Sequence, residues 1–347
     1  MKKRLIALSL VAALAMAMLL GACGSSSAPT STPAQNQNST GGKVYKIATV
    51  VKDMSDPWCL RHEQGVKAWA EKTGHEAYVK GPPKTDSAQQ IQVLEELIAQ
   101  DIDALLVVPI DPEACEPVFK RARDKGIVVI SHEAPGTTNV DFNIEAFDNQ
   151  GYGAYMMDEL AKEMGEEGQY VTMVAFLSSV SHNEWMDSAI AHQKATYPNM
   201  ELVPEEKIEC EDNMEMAYEK AKEMMKKYPG IKGFLGASSY DPPGAGKAIE
   251  EMGKLGSVFA VGTSVPSVAA PYLESGSNPC VLCWDPALAG EAMLELAMLI
   301  LEGNGDQIVT GLDLGVEGYE NLTVESNMCS GNGWLVITKD NMDQYQF

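Results

Sequence analysis

Two stretches decide the fold: ALLVVPIDP at Ala104–Pro112 and IVVISHEAP at Ile127–Pro135. Each opens on four or five consecutive apolar residues, rich in valine and isoleucine, and ends in polar residues and proline. An unbroken β-branched run of that length describes a strand covered on both faces, which antiparallel surface strands rarely are. Working outward, similar runs occur at Lys46–Val51, Val171–Phe176, Gly233–Gly236, Val258–Gly262 and Val281–Trp284. The segments between them have helical spacing. Ile91, Leu94, Leu97 and Ile98 share one face, and so do Met214, Ala217, Tyr218, Ala221 and Met225. Strands alternating with helices predict parallel sheets with crossover helices. The pattern runs once before about residue 135 and again after it, so the expected class is α/β with two similar Rossmann-like lobes.

In such sheets a ligand lies beyond the C-terminal ends of the strands, and here those ends carry chemistry. Lys52, Asp53 and Trp58 follow the first strand, Asp111 another, and His132 and Glu133 the next. In the second half the strand ends carry His182, Asn183 and Trp185, then Ser238 and Asp241, then Trp284 and Asp285. Polar, charged and aromatic groups at one edge of each lobe predict an interlobe cleft. Carboxylates and amides engage vicinal hydroxyls, and flat rings cover the C–H face of a sugar. Trp58 and Trp185, one in each half, are the candidate sandwich, although either ring also fits as packing within its own lobe. Each polar candidate likewise has a structural alternative. Lys52 pairs with Asp53, Asp111 or Glu133, and Asp111 caps the helix that Pro112 opens.

The 347 residues carry a formal net charge of −23. Three of the 26 basic residues (Lys2, Lys3 and Arg4) head the chain, so the remainder is more acidic still. Nothing resembles a basic patch, which excludes nucleic acid and charge-driven lipid binding. The field favours an uncharged guest over a strongly anionic one. After the basic head come an apolar run from Leu5 to Leu20 and Leu20-Gly21-Ala22-Cys23. This predicts a signal peptide over 1–22, with Cys23 lipidated. Residues 24–42, GSSSAPTSTPAQNQNSTGG, carry no charge and predict a flexible tether. The expected location is extracytoplasmic, with a lipid anchor as the only membrane contact. Cys59, Cys115, Cys210, Cys280, Cys283 and Cys329 are scattered, and the Cys280–Cys283 spacing lies in a strand run. They read as buried free thiols rather than a redox or zinc motif.

Enzyme signatures are lacking. Gly244, Gly246 and Lys247 do not have phosphate-loop spacing. There is no Gly-x-Ser-x-Gly elbow, and the five histidines give no zinc motif. No catalytic residue, cofactor or metal is expected.

The strand ends, taken in order from about Lys43 to Phe347, resemble the type I periplasmic solute-binding proteins of ABC importers. The subgroup that binds autoinducer-2 and rhamnose is the most similar. The resemblance is carried by Val50-Val51-Lys52, Pro57-Trp58, Ile130–Pro135, His182–Trp185, Pro243–Lys247, Trp284–Gly290 and Thr338–Tyr345. It implies two lobes joined by three crossovers, placed near Ala134, Asp285 and Leu312. One lobe then spans 43–134 plus 285–312, and the other 135–284 plus 313–347. It also implies ligand contacts at Lys52 and Glu133, a second-lobe amide segment at His182-Asn183, and further contacts around Ser238. Ser181-His182 and Ala237–Tyr240 depart from the autoinducer-2 pattern, which favours a neutral monosaccharide such as a deoxy sugar. The implied partners are an ABC permease and its ATPase, served by a monomer. Capture of autoinducer-2, or presentation of a sugar to a signalling partner, stands as the alternative.

Overall fold

The computed structural model describes residues 42–345 and 347. The signal peptide, the tether and Cys23 lie outside the described residues, apart from Gly42. Val44–Phe347 forms one unit, and within it the chain builds two α/β lobes.

The first lobe winds β1 (Lys46–Val50), α1 (Pro57–Thr73), β2 (Glu76–Lys80), α2 (Ser87–Ile98), β3 (Ala104–Val107), α3 (Pro112–Asp124), β4 (Val128–His132) and β5 (Phe142–Glu145). The second continues with α4 (Asn149–Met164), β6 (Gly168–Val174), α5 (Val180–Thr196), β7 (Met200–Leu202), β8 (Ile208–Glu209) and α6 (Met214–Lys227). It closes with β9 (Ile231–Gly236), α7 (Asp241–Glu251), β10 (Phe259–Gly262), α8 (Pro266–Ser275) and β11 (Cys280–Cys283). Then α9 (Pro286–Leu301), β12 (Thr323–Glu325), β13 (Met328–Ser330) and β14 (Leu335–Thr338) complete the chain.

The first sheet has the order β12-β13-β5-β4-β3-β1-β2, parallel except for the β12–β13 pair. The second runs β10-β9-β6-β7, with β8 also on β6, all parallel. An isolated parallel bridge between Thr263 and Leu282 joins β11 to the end of β10, and β14 pairs antiparallel with β11. The central strands β3 and β4 are buried along their whole length, as their apolar runs require.

The crossings fall later than the resemblance implied at two of three places. β5 pairs with β4, so the first crossing follows Glu145 and not Ala134. β12 and β13 belong to the first sheet, so the segment 313–347 is shared between the lobes and its crossing lies between Ser330 and Leu335. The physical reason is composition: Asn143 and Glu145 sit inside β5, and glutamate or serine ends β12 and β13, so none shows an apolar run. After β11, α9 returns to pack on α1, with the Trp69 indole donating to Glu295 (2.8 Å). A Cβ at Gly65 would lie 2.2 Å from the Ala287 carbonyl oxygen, so only glycine permits this helix crossing.

One cap recurs. Asp56, Asp111 and Asp285 precede prolines at the first turn of α1, α3 and α9, and each carboxylate accepts a helix N–H (3.2, 3.1 and 2.8 Å). The six cysteines after Cys23 are buried free thiols. No helix among the described residues is long and apolar enough to cross a membrane.

Candidate functional site

Residues beyond the strand ends of both lobes meet around a cavity with about 430 Å³ of space free of atoms, its mouth included. The first lobe contributes Lys52, Asp53, Asp56, Trp58, Cys59 and Glu133. The second contributes His182, Asp212, Ser238, Ser239 and Thr263, together with the Ala237 wall, and Trp284 lies at the crossing. The ends of β9 and β10 approach closely because Gly262, at φ 146°, carries no Cβ that would collide with the Gly236 carbonyl.

The floor is charged but balanced. Lys52 donates to Glu133 in a short ion pair. Burial opposes the ammonium, yet Glu133 and Asp212 outweigh it and raise the Lys52 pKa. Burial likewise opposes ionisation of Glu133, but Lys52 and then His132 hold its pKa below the usual range. Both groups stay ionised at neutral pH. Glu133 takes a left-handed backbone (φ 55°), a strained conformation that costs about 1–3 kcal/mol for a residue other than glycine. Asp53 accepts from the Ser55 N–H and hydroxyl, both at 2.7 Å.

The walls are aromatic. Trp58 stacks on His132 (5.9 Å between ring centroids, 13° between planes) and on His62 (5.3 Å, 19°). Trp284 stands edge-on to Trp58 at 5.9 Å. Neither indole N–H has a hydrogen-bond partner among the described residues. His182, only 6% exposed, also lacks a partner at Nδ1. Burial, and after it the Lys52 charge, holds its pKa down to about 3, so the ring is neutral. Buried polar atoms without partners are rare in folded proteins, and here they belong to residues that line the cavity.

Several expected residues lie elsewhere. Trp185 is wholly buried, its indole donating to Asn149 (2.7 Å) and its ring against Tyr152 (5.1 Å). Asn183 spends its amide on the Phe176, Leu177 and Ser179 carbonyls. Asp111 caps α3. Asp285 caps α9 and takes Arg61 bidentately (2.8 and 2.6 Å). Asp241 accepts from the Ala237 and Ser238 N–H groups within the second lobe (3.2 and 2.9 Å). His132 supports Trp58 from behind and bonds the Ile144 carbonyl. Thus the aromatic pair at the cavity is Trp58 with Trp284, where the sequence pointed to Trp58 with Trp185. Cavity residues that sequence reasoning missed include Asp56, whose Asp-Pro step signalled only a cap. Thr263 sits at a recognised strand end but was given no role, and Asp212 lies in an irregular loop without a signal.

The chemistry on offer is recognition. Cys59 has its thiol pushed well up by burial and then by Asp56, so it is no thiolate nucleophile. Paired carboxylates, a neutral imidazole, hydroxyls and flat indoles suit a guest with alternating hydroxyls and C–H faces. Among the described residues no cluster of His, Cys, Asp or Glu is arranged to hold a metal ion.

Comparison with known proteins agrees with this geometry. The family described as Periplasmic binding protein domain matches residues 47–305. A D-ribose/D-allose-binding protein of Pseudomonas aeruginosa is 26% identical over 67% of this chain and 74% of its own length. The ribose import binding protein of Bacillus subtilis is 23% identical over 82% and 90%. Among solved structures, an ABC transporter solute-binding protein from Clostridium phytofermentas with bound L-rhamnose superposes with a TM-score of 0.79. It is 20% identical, over 87% of this chain and 98% of that one. LsrB from Clostridium saccharobutylicum in complex with AI-2 gives 0.78 at 18% identity, over 87% and 100%.

Proposed function

Since the chain belongs to the Periplasmic binding protein domain family of sugar-binding ABC transporter components, we propose that it captures a neutral monosaccharide between its lobes and delivers it unaltered to a membrane permease. The family is extracytoplasmic, and lipidation at Cys23 would tether this member to the outer face of the cell membrane. The chemistry of the cavity carries the reading. It offers two indole walls, a Lys52–Glu133 pair that cancels its own charge, and a neutral His182 with a free ring nitrogen. A deoxy sugar such as rhamnose fits the mixture of one apolar corner and several hydroxyl partners.

Autoinducer-2 remains the second reading. One observation favours it: Lys52 and Glu133, the two residues that the subgroup resemblance marked as contacts, both line the cavity. Thermal-shift measurements against L-rhamnose, D-ribose, D-xylose, xylitol and autoinducer-2 test both. A guest at 100 times its dissociation constant adds about 2.7 kcal/mol to stability. Stabilisation by a monosaccharide supports the first reading. Stabilisation by autoinducer-2 alone supports the second, and no shift with any of them defeats both.

A further inference from the structure

Each of the three crossings between the lobes carries one aromatic residue, and two of these rings pack on the third. Phe147 lies between β5 and α4, Trp284 between β11 and α9, and Trp334 between β13 and β14. Phe147 is the centre. Its ring stands edge-on to Trp284 (5.2 Å between centroids, 81° between planes) and to Trp334 (5.8 Å, 60°), and it stacks on Tyr152 of α4 (4.0 Å, 19°). Tyr152 in turn meets Trp334 (5.7 Å) and Trp284 (6.4 Å, 84°). The backbone ties the first crossing to the third. Gly331 N–H donates to the Glu145 carbonyl (3.0 Å), and Gly333 N–H to the Ala146 carbonyl (2.8 Å). Phe147 is 2% exposed and Trp284 4%. In a close-packed interior neither ring turns unless its neighbours move.

Trp284 joins this cluster to the cavity that it lines. It also stands edge-on to rings of both lobes: Trp58 and His132 of the first (5.9 and 6.0 Å) and Trp185 of the second (5.8 Å). Edge-on contacts are angle-dependent, because the positive edge of one ring must face the negative face of the other. Rotation of one lobe against the other changes the course of the crossings, and with it the angles at Phe147. The cluster therefore favours one placement of the lobes, the one that sets Trp284 beside Trp58 at the cavity.

We propose that Phe147 and Trp334, which lie outside the cavity, are positioning residues for guest capture: they hold the Trp284 wall and the three crossings in the arrangement that receives the guest. The inference rests on the cavity being the guest site. A guest that binds one placement of the lobes gains apparent affinity in proportion to the fraction of molecules already in it. Loosening the cluster lowers that fraction and weakens capture while every residue that lines the cavity stays unchanged.

The test is isothermal titration of the full chain and its variants with L-rhamnose, D-ribose and xylitol, together with small-angle X-ray scattering of each protein without guest. Phe147→Leu keeps an apolar side chain and removes the ring. For a guest that binds the unaltered chain, this variant should weaken affinity about tenfold and enlarge the radius of gyration. Trp334→Leu should weaken affinity about threefold. The double variant should lose less than the product of the two, because both act on one cluster. Phe119→Leu, in the wholly buried core around α3, serves as the control. It should lower the melting temperature to a similar degree and leave affinity unaltered. Unchanged affinity in both Phe147→Leu and Trp334→Leu overturns the inference alone, and so does an equal loss in Phe119→Leu. If Phe147→Leu does not fold, Trp334→Leu, whose ring is only partly buried, decides by the same criterion. Absence of binding by the unaltered chain overturns the guest-site reading and this inference with it.

Discussion

The two rims of the cavity are built differently. On the first lobe the charged groups at the cavity already have partners within the lobe: Lys52 holds Glu133 and Asp53 holds Ser55, while the Trp58 ring rests on His62 and His132. On the second lobe His182 Nδ1 has no partner and Asp212 projects from a left-handed loop. A rim whose groups are satisfied in advance loses little side-chain entropy on receiving a guest, whereas one with waiting atoms gains most when the guest arrives. The first rim thus has the character of a platform whose charges are already paired, and the second keeps a ring nitrogen without a partner.

Three variants break or sharpen this contrast. The largest effect is expected from Glu133→Ala, which strands a buried ammonium. Urea unfolding should show a loss of about 3–5 kcal/mol, and Lys52→Met in the same background should restore part of it. A loss under 1 kcal/mol would mean that the platform is not held by this pair. Next, Trp58→Ala should weaken sugar binding by about 10–100-fold, read by calorimetry. Unchanged affinity would remove Trp58 from the walls. The smallest effect belongs to Asp111→Ala, a rim residue outside the cavity. Stability should fall by about 1 kcal/mol through loss of the α3 cap, with affinity unaltered. A drop in affinity would show that the cavity extends further along that rim.

The same contrast explains what was legible in the sequence. Strands such as β3 and β4 announce themselves because burial on both faces demands an apolar run. β5, β12 and β13 do not, because they lie toward one side of the first sheet and carry Asn143, Glu145, Glu325 and Ser330. Lys52, Glu133 and Ser238, which line the cavity, directly follow recognisable strands. Asp111 and Asp285 lie outside the cavity; an Asp-Pro step at a strand end looks the same whether it only caps a helix or also lines the cavity, as Asp56 does. Trp185 shares its setting with Trp58, since each lies early in a helix that follows a strand end. Only the depth of packing against Tyr152 and Asn149 separates them. Asp212 had no periodic context at all. Its place in the cavity follows from the path of the chain after β8, which no local pattern encodes.

Trp284 occupies an unusual position between two anchors. Cys283 before it ends β11, which pairs with β14 and is bridged to the end of β10 at Thr263–Leu282, while Asp285 after it is clamped to the first lobe by Arg61 and by the close seating of Ala287 on Gly65. One of the three connections between the halves passes through the bonds flanking this ring. A wall of the cavity therefore also forms part of a joint between the lobes, and a substitution there bears on both.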